Sequence, residues 1–283
     1  MAENYASLKK GLYIVPTPIG NLADITLRAL EILKNSNYIL CEDTRISKKL
    51  LEKYKIKSKL ISNHKFNEKK ITTSIIENIK NGEMISMISD AGTPTISDPG
   101  LILIKECIKN KINIYPIPGV SAVTTAMTAS GFKDQYFFYG FLPKKAKAVE
   151  EELNKLKDYN FNLVFFVPAI KINFYIGIFK KVMKYREIFI GREMTKIHET
   201  FYRYKLDEFF GFKEVLKGEL TVVLSSKNKK SEKPNIADIK KLSNEIKQYL
   251  KRYSVKDVVN LISQKNNLSK KKIYDICLRV KKK

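Results

Sequence analysis

Tryptophan is absent from this chain, histidine occurs twice and cysteine three times. So few histidines and cysteines exclude the familiar zinc spacings, which need paired ligands at short intervals. Cys41, Cys107 and Cys277 are odd in number and far apart, so no disulfide framework is written here. A reduced, cytoplasmic protein without a metal is the expectation. Apolar runs such as Leu163–Val167 are far too short to span a bilayer, and Met1 to Lys10 carries no apolar segment of a secretory signal. Neither a Gly-x-Gly-x-x-Gly pattern nor a phosphate-loop Lys-Ser/Thr follows any strand candidate, which leaves dinucleotides and nucleoside triphosphates without support as ligands. His64 and His198 are the only histidines and no Gly-x-Ser-x-Gly elbow exists, so a Ser-His-Asp hydrolase is equally unsupported.

Positive charge is what the chain has in excess. It carries 53 Lys and Arg against 29 Asp and Glu, a formal +24 in 283 residues. Lysine and arginine neutralising phosphates dominate sequence-independent nucleic-acid binding, so a polyanionic partner is one reading. A Lys-, Ile- and Asn-rich composition from an AT-rich genome is the other. Distribution favours the first: residues 227–283 hold 18 basic and 5 acidic residues, over half the excess in one fifth of the length.

Length allows two domains and a small third. Up to about residue 132, short apolar runs alternate with helical spacing. Strands are expected at Leu12–Val15, Tyr38–Cys41, Leu60–Ile61, Met84–Ile88 and Ile112–Tyr115. Helices are expected at 25–33, capped by Asp24, and at 71–79, 101–108 and 121–129. That alternation predicts a parallel α/β sheet. A second α/β domain is expected over 133–226, with strands at 136–139, 163–167, 188–190 and 220–224. Lys227 to Asn235 reads as a charged linker. Beyond it, Ile236, Ile239, Leu242, Ile246, Tyr249 and Leu250 form an apolar stripe. Ser254 and Ser269 are candidate caps of two further helices, with Asn266-Asn267 as the turn between them. The pattern fits a helix-turn-helix-like module or a small packing domain with a solvated lysine face.

In open α/β sheets ligands bind beyond the carboxyl ends of the strands. Five strand ends here carry polar chemistry: residues 16–21, 42–45, Asn63-His64, Ser89-Asp90 and Pro118-Gly119. The longest is Ser89-Asp-Ala-Gly-Thr-Pro-Thr-Ile-Ser-Asp-Pro-Gly100, about twice an ordinary strand-to-helix connection, with two Asp, two Gly and four hydroxyls. Gly92 and Gly100 allow close backbone approach or positive φ. Asp90 either meets a ligand amine or hydroxyl, or braces its own loop.

Gly11-Leu-Tyr-Ile-Val-Pro-Thr-Pro-Ile-Gly-Asn-Leu22 resembles the start of the tetrapyrrole methylase superfamily, and more narrowly its branch of small-subunit ribosomal RNA methyltransferases. The likeness runs in order through Cys41–Arg45, Ser89–Gly100, Pro118–Ala122, Gly140–Lys144, Arg192–Glu199 and Lys217–Glu219, covering roughly residues 10–226, with a basic helical tail beyond. It implies an S-adenosylmethionine-dependent enzyme that 2′-O-methylates a cytidine in the decoding region of 16S rRNA, within the 30S ribosomal subunit. It also implies a homodimer, with the cofactor between two α/β domains. Position by position, cofactor contacts would fall near Pro18, Asp90, Gly92, Thr93, Ile96, Ser121, Ala122 and Phe166. One stretch departs from the branch: where a Tyr-Glu-Ser-Pro/Thr-His-Arg pattern is usual, this chain has Phe166-Val-Pro-Ala-Ile-Lys171. Other acceptors of the superfamily, a precorrin or a diphthine precursor, remain alternatives, as does a non-catalytic RNA-binding protein that keeps the fold.

A ribose hydroxyl is a poor nucleophile when neutral, so a base near the transferable methyl is expected. Glu42 or Asp43 is the candidate to orient or deprotonate it, with Asn21 alongside and Arg45 on phosphate. The competing role of Glu42, Asp43 and Arg45 is an internal salt-bridge network. Arg192, Glu193, Lys196 and His198 face RNA or close the cleft, or else pair ions between domains.

Overall fold

The computed structural model describes residues 8–133, 135–227, 236–266 and 270–281. They form two compact units, residues 1–227 and 228–283. The first unit holds two five-stranded sheets.

The first sheet is wholly parallel: β1 (Gly11–Ile14), β2 (Tyr38–Cys41), β3 (Lys59–Ser62), β4 (Met84–Met87) and β5 (Ile114–Pro116), in the order β3-β2-β4-β1-β5. Between them lie α1 (Leu27–Asn35), α2 (Thr44–Lys53), α3 (Glu68–Lys80) and α4 (Leu101–Lys109). Strand residues alternate faces. Tyr13, Val15, Ile39 and Cys41 pack under α1 and α2, through Ile32, Leu33, Leu50 and Leu51. Leu12, Leu40, Ile85 and Met87 pack under α3 and α4, through Ile75, Ile79, Leu103 and Cys107. Chains leaving β1 and β2 therefore turn to one face, while the chain leaving β4, which lies between them, turns to the other. A crevice opens at the carboxyl end of β4, the position where such sheets bind ligands.

The second sheet is mixed, in the order β6 (Tyr136–Phe141), β7 (Asn162–Pro168), β10 (Glu219–Leu224), β8 (Glu187–Arg192), β9 (Thr200–Lys205). Only β6 and β7 run parallel. One face, through Leu163, Phe165, Ile190 and Val222, meets α6 (Ala146–Leu156) and α7 (Ile172–Met183). The other face, through Val164, Phe189 and Val223, is covered by Val123, Ala126 and Met127 of α5 (Ala122–Ser130). Helix α5 leaves the first sheet yet packs on the second, and Gly131 ends it in the left-handed region (φ 72°). That packing explains why both sheets fall in one compact unit.

In the second unit α8 (Ile236–Tyr249), α9 (Val255–Asn266) and α10 (Lys270–Lys281) enclose a core of Leu242, Ile246, Val258, Val259, Ile262, Ile273 and Cys277. Ser254 caps α9 as expected, its Oγ accepting from the Asp257 amide (3.3 Å). Asn267, Ser269 and nearly all of the linker, together with the side chains of Ile236 and Ile239, lie outside the described residues.

Three expectations change. The cap of α1 is Thr26, whose hydroxyl accepts from the Ala29 amide, while Asp24 belongs to a short 3-10 turn before it. Helix α2 begins directly at the Cys-Glu-Asp-Thr-Arg strand end, with Asp43 as its cap. Strand β9, an edge strand in which aromatic and charged residues mix without a clean apolar alternation, gave no period to be read.

Candidate active-site cleft

A cleft of about 500 Å³ opens at the end of β4, between that crevice and the second sheet. Three strand-end loops are tied together to build it. The backbones of Thr17 and Gly92 exchange two hydrogen bonds of 2.9 Å. The Thr17 hydroxyl donates to the Ser89 carbonyl (2.9 Å), and the Thr93 hydroxyl to that of Val120 (2.9 Å). Gly92 and Gly100 both take positive φ, at 80° and 122°. So do Thr95 (69°) and Ser97 (75°), which have side chains and pay strain for it. Strain held by surrounding contacts is typical of ligand clamps.

Of the residues singled out for a cofactor, Asp90, Gly92, Thr93, Ile96, Ser121, Ala122 and Phe166 line this cleft. Pro18 is buried and does not line it; its neighbour Ile19 does. Val167 and Pro168 of the departing stretch also line it, so apolar atoms stand where the related pattern has polar ones.

The acidic groups sort by environment. Asp43 is committed to its own helix: its carboxylate accepts from the Arg45 amide (2.8 Å) and from the Arg45 guanidinium, with a closest approach of 2.6 Å. That side-chain pairing, and the amide bond after it, hold Asp43 down to about 2. The competing salt-bridge role is thus what Asp43 and Arg45 display. Asn21 is likewise a cap, its side-chain oxygen accepting from the Ala23 amide (3.0 Å). Glu42 differs. Burial and then the Asp90 charge raise it, with His64 pulling the other way. Burial also raises Asp90, against the Asp43 amide, which donates to its Oδ1 (3.1 Å). Asp98 is pushed up to about 6, first by burial and then by the Glu42 charge. Asp98 lines the cleft, and sequence reasoning missed it; its only signal was a second Asp in an overlong loop.

The Arg192–His198 segment does not line the cleft itself but is tied to it through Glu219, which does. The Lys196 ammonium sits between Glu193 (3.1 Å) and Glu219 (2.9 Å), so this ion pair is internal to the wall. Thr195 accepts the Asn21 amide on its hydroxyl (3.0 Å), docking the β1 loop against it. Gly20 lies so close to Lys196 and Thr195 that a Cβ there would collide with both. Arg192 donates to the carbonyls of Lys217 (2.8 Å) and His198 (3.3 Å), and the His198 ring is exposed. Lys196 is thus held back from solution, while His198 is open to it.

Among the described residues no His, Cys, Asp and Glu group has metal-holding geometry, and no helix is long and apolar enough to cross a membrane. The walls are instead apolar, with carboxylates that repel one another at one end. Such a set fits a small ligand that is partly apolar and carries positive charge, and the volume suits it.

A family model described as tetrapyrrole (corrin/porphyrin) methylases matches residues 11–209. Proteins called ribosomal RNA small subunit methyltransferase I are similar over most of the chain. That of Rickettsia prowazekii is 43% identical over 77% of this chain and 79% of its own length. The Thermotoga maritima protein is 44% identical over 76% and 98%, and the Bacillus subtilis protein 34% over 93% and 92%. Among solved structures, the methyltransferase CobJ shares the fold at a TM-score of 0.58 and 16% identity, over 76% of this chain and 94% of its own. Uroporphyrin-III C-methyltransferase of Thermus thermophilus, solved with S-adenosyl homocysteine, gives 0.55 and 14%, over 76% and 97%.

Proposed function

Because this chain belongs to the tetrapyrrole (corrin/porphyrin) methylase family, we propose that it is an S-adenosylmethionine-dependent methyltransferase acting on 16S rRNA of the small ribosomal subunit. The finer assignment is a cytidine 2′-hydroxyl, at position 1402 of that RNA. The observation that carries the reading is the cleft at the end of β4, apolar along its walls and acidic at one end, in a chain of net charge +24.

When bound, S-adenosylmethionine supplies an electrophilic methyl group on a sulfonium. Ile19, Ile96, Val123 and Phe166 offer the apolar walls that hold such a molecule and exclude water. Asp90 offers an acceptor for its hydroxyls, and Asp90 and Asp98 offer charge to set against its cation. A positive ligand relieves the repulsion among Glu42, Asp90 and Asp98, and that repulsion favours binding.

Asp98 then serves as proton acceptor for the ribose hydroxyl. The carboxylate of Asp98 would take the proton that the ribose hydroxyl gives up on receiving the methyl group that the bound cofactor would supply. Glu42 raises Asp98 and so strengthens it as a base. Arg45, 88% exposed at its side chain, keeps donors free for a phosphate while paired with Asp43. His198 and Arg192 flank the opposite wall as further RNA contacts. A second copy of the chain is the other proposed partner, supported by Tyr136 and Phe137, exposed on the edge strand β6.

The test is transfer of a labelled methyl group to 30S subunits that lack ribose methylation. Incorporation that requires both cofactor and cleft supports the reading. Label that enters a tetrapyrrole and not the RNA overturns it.

A further inference from the structure

The loop between β3 and α3 sits beside the Glu42 end of the cleft and takes no part in the chemistry above. Strands β2 and β3 are parallel neighbours, with Cys41 opposite Ser62, so Glu42 and Asn63-His64 leave adjacent strand ends. The Asn63 amide donates to the Cys41 carbonyl (2.8 Å), extending that pairing past the strand end. The charge of His64 acts on Glu42 directly. His64 Nδ1 in turn accepts the Phe66 amide (3.2 Å), and the two rings meet edge to face at 6.1 Å. The loop is rigid by design. The His64 amide donates to Asn67 Oδ1 (2.8 Å), and Asn67 Nδ2 donates to the Ser62 carbonyl (2.9 Å). Just after it, buried Glu68 accepts the Ile102 and Leu103 amides at the start of α4 (2.7 and 3.1 Å).

On this fixed turn Phe66 is 92% exposed. Lys65, Lys69 and Lys70 around it are exposed as well. An aromatic ring held open to water costs free energy that a loop of this kind has no folding reason to bear. A rigid aromatic with flanking lysines is the chemistry that holds single-stranded nucleic acid: the ring stacks on a base, and the cations meet the backbone.

We propose that Phe66 is a nucleobase-stacking platform for single-stranded RNA at the Glu42 end of the cleft, with Lys65, Lys69 and Lys70 on the adjacent phosphates. The inference rests on an RNA substrate, and it names a positioning residue for it. Phe66 lies outside the cofactor cleft, so it orders the nucleotide and leaves cofactor binding untouched.

The chain contains no tryptophan, so Phe66→Trp creates a single fluorescent reporter in the full-length protein. A short single-stranded oligoribonucleotide spanning the decoding-region cytidine should quench that fluorescence on titration, and heparin of equal charge should not. Phe66→Ala should raise KM for the RNA roughly 5- to 150-fold, as expected for about 1–3 kcal/mol per stacked base, with affinity for the cofactor unchanged. Phe66→Trp should restore KM. Equal quenching by RNA and heparin, or a KM for Phe66→Ala within about twofold of wild type, overturns the platform. So does a defect seen on 30S subunits but not on naked RNA, which would assign Phe66 to a ribosomal protein. Quenching by RNA from a protein that methylates no ribose would leave the platform standing and remove the proposed reaction.

Discussion

Asp98 and Asp43 show how two residues of the same type acquire opposite roles from their surroundings. Asp43, half-buried and bonded to Arg45, stays ionised at any working pH. Asp98, shielded and facing Glu42, gains a proton near 6. A folded value above the unfolded one of ~3.9 means that the fold favours protonated Asp98. Its contribution is fully present below about pH 4 and is lost as pH rises through 6. Asp98→Asn should therefore raise the melting temperature at pH 8, by the equivalent of about 1–2 kcal/mol after allowance for solvent screening. At pH 4 the two proteins should melt together. The same substitution should lower kcat by about 10²-fold or more, the usual worth of a positioned base. Wild-type kcat/KM should fall as pH drops below about 6, and the Asn variant should lose that limb. The competing pair, Glu42→Ala and Arg45→Ala, should weaken catalysis and RNA affinity respectively. Wild-type rates on 30S subunits for both would remove that end of the cleft from the mechanism.

At the scale of elements, the cleft depends on how loops are clamped. Gly20 is the point where the β1 loop touches the Lys196 segment, so Gly20→Val should separate the walls and reduce cofactor affinity at least tenfold while the far-ultraviolet spectrum stays native. Arg186 does comparable work for the second sheet. It is buried, and its guanidinium donates to the carbonyls of Phe161, Ser225, Lys157 and Tyr159, at 2.7 to 3.3 Å. Arg186→Met leaves those carbonyls without donors and should cost roughly 3 kcal/mol or more in urea unfolding. Much of this level was legible in advance. The five strands of the first sheet carry Ile, Leu and Met runs that fit nothing else, and four of the second sheet likewise. Strand β9 escaped because its aromatic and charged residues follow no period of two, on an edge strand that is largely exposed. Helix α2 escaped because its polar first turn read as a ligand loop. What no pattern contained was the destination of α5, a small-residue helix whose partner sheet lies later in the chain.

For the whole molecule, charge and cleft divide the labour. Cofactor binding in a cleft lined by uncharged groups and a few carboxylates should change little with salt. RNA affinity should fall by roughly 10²-fold or more between 50 and 200 mM salt, since several phosphates are neutralised on binding. The excess charge and its bias toward residues 227–283 were visible from composition, and the family from its strand-end motifs. The site was only partly visible. Motif positions located the cleft's walls, while the assignment of Asp43, Asn21 and Lys196 to caps and internal ion pairs required the fold, because a strand end gives every polar residue the same prospect. The most direct measurement is mass spectrometry of nucleosides from 16S rRNA after 30S subunits are incubated with the protein and S-adenosylmethionine. The account predicts one new 2′-O-methylcytidine per 16S rRNA, formed about 10²-fold or more slowly with Asp98→Asn. Methylation of a base, or no gain of a methyl group at any ribose, would contradict it.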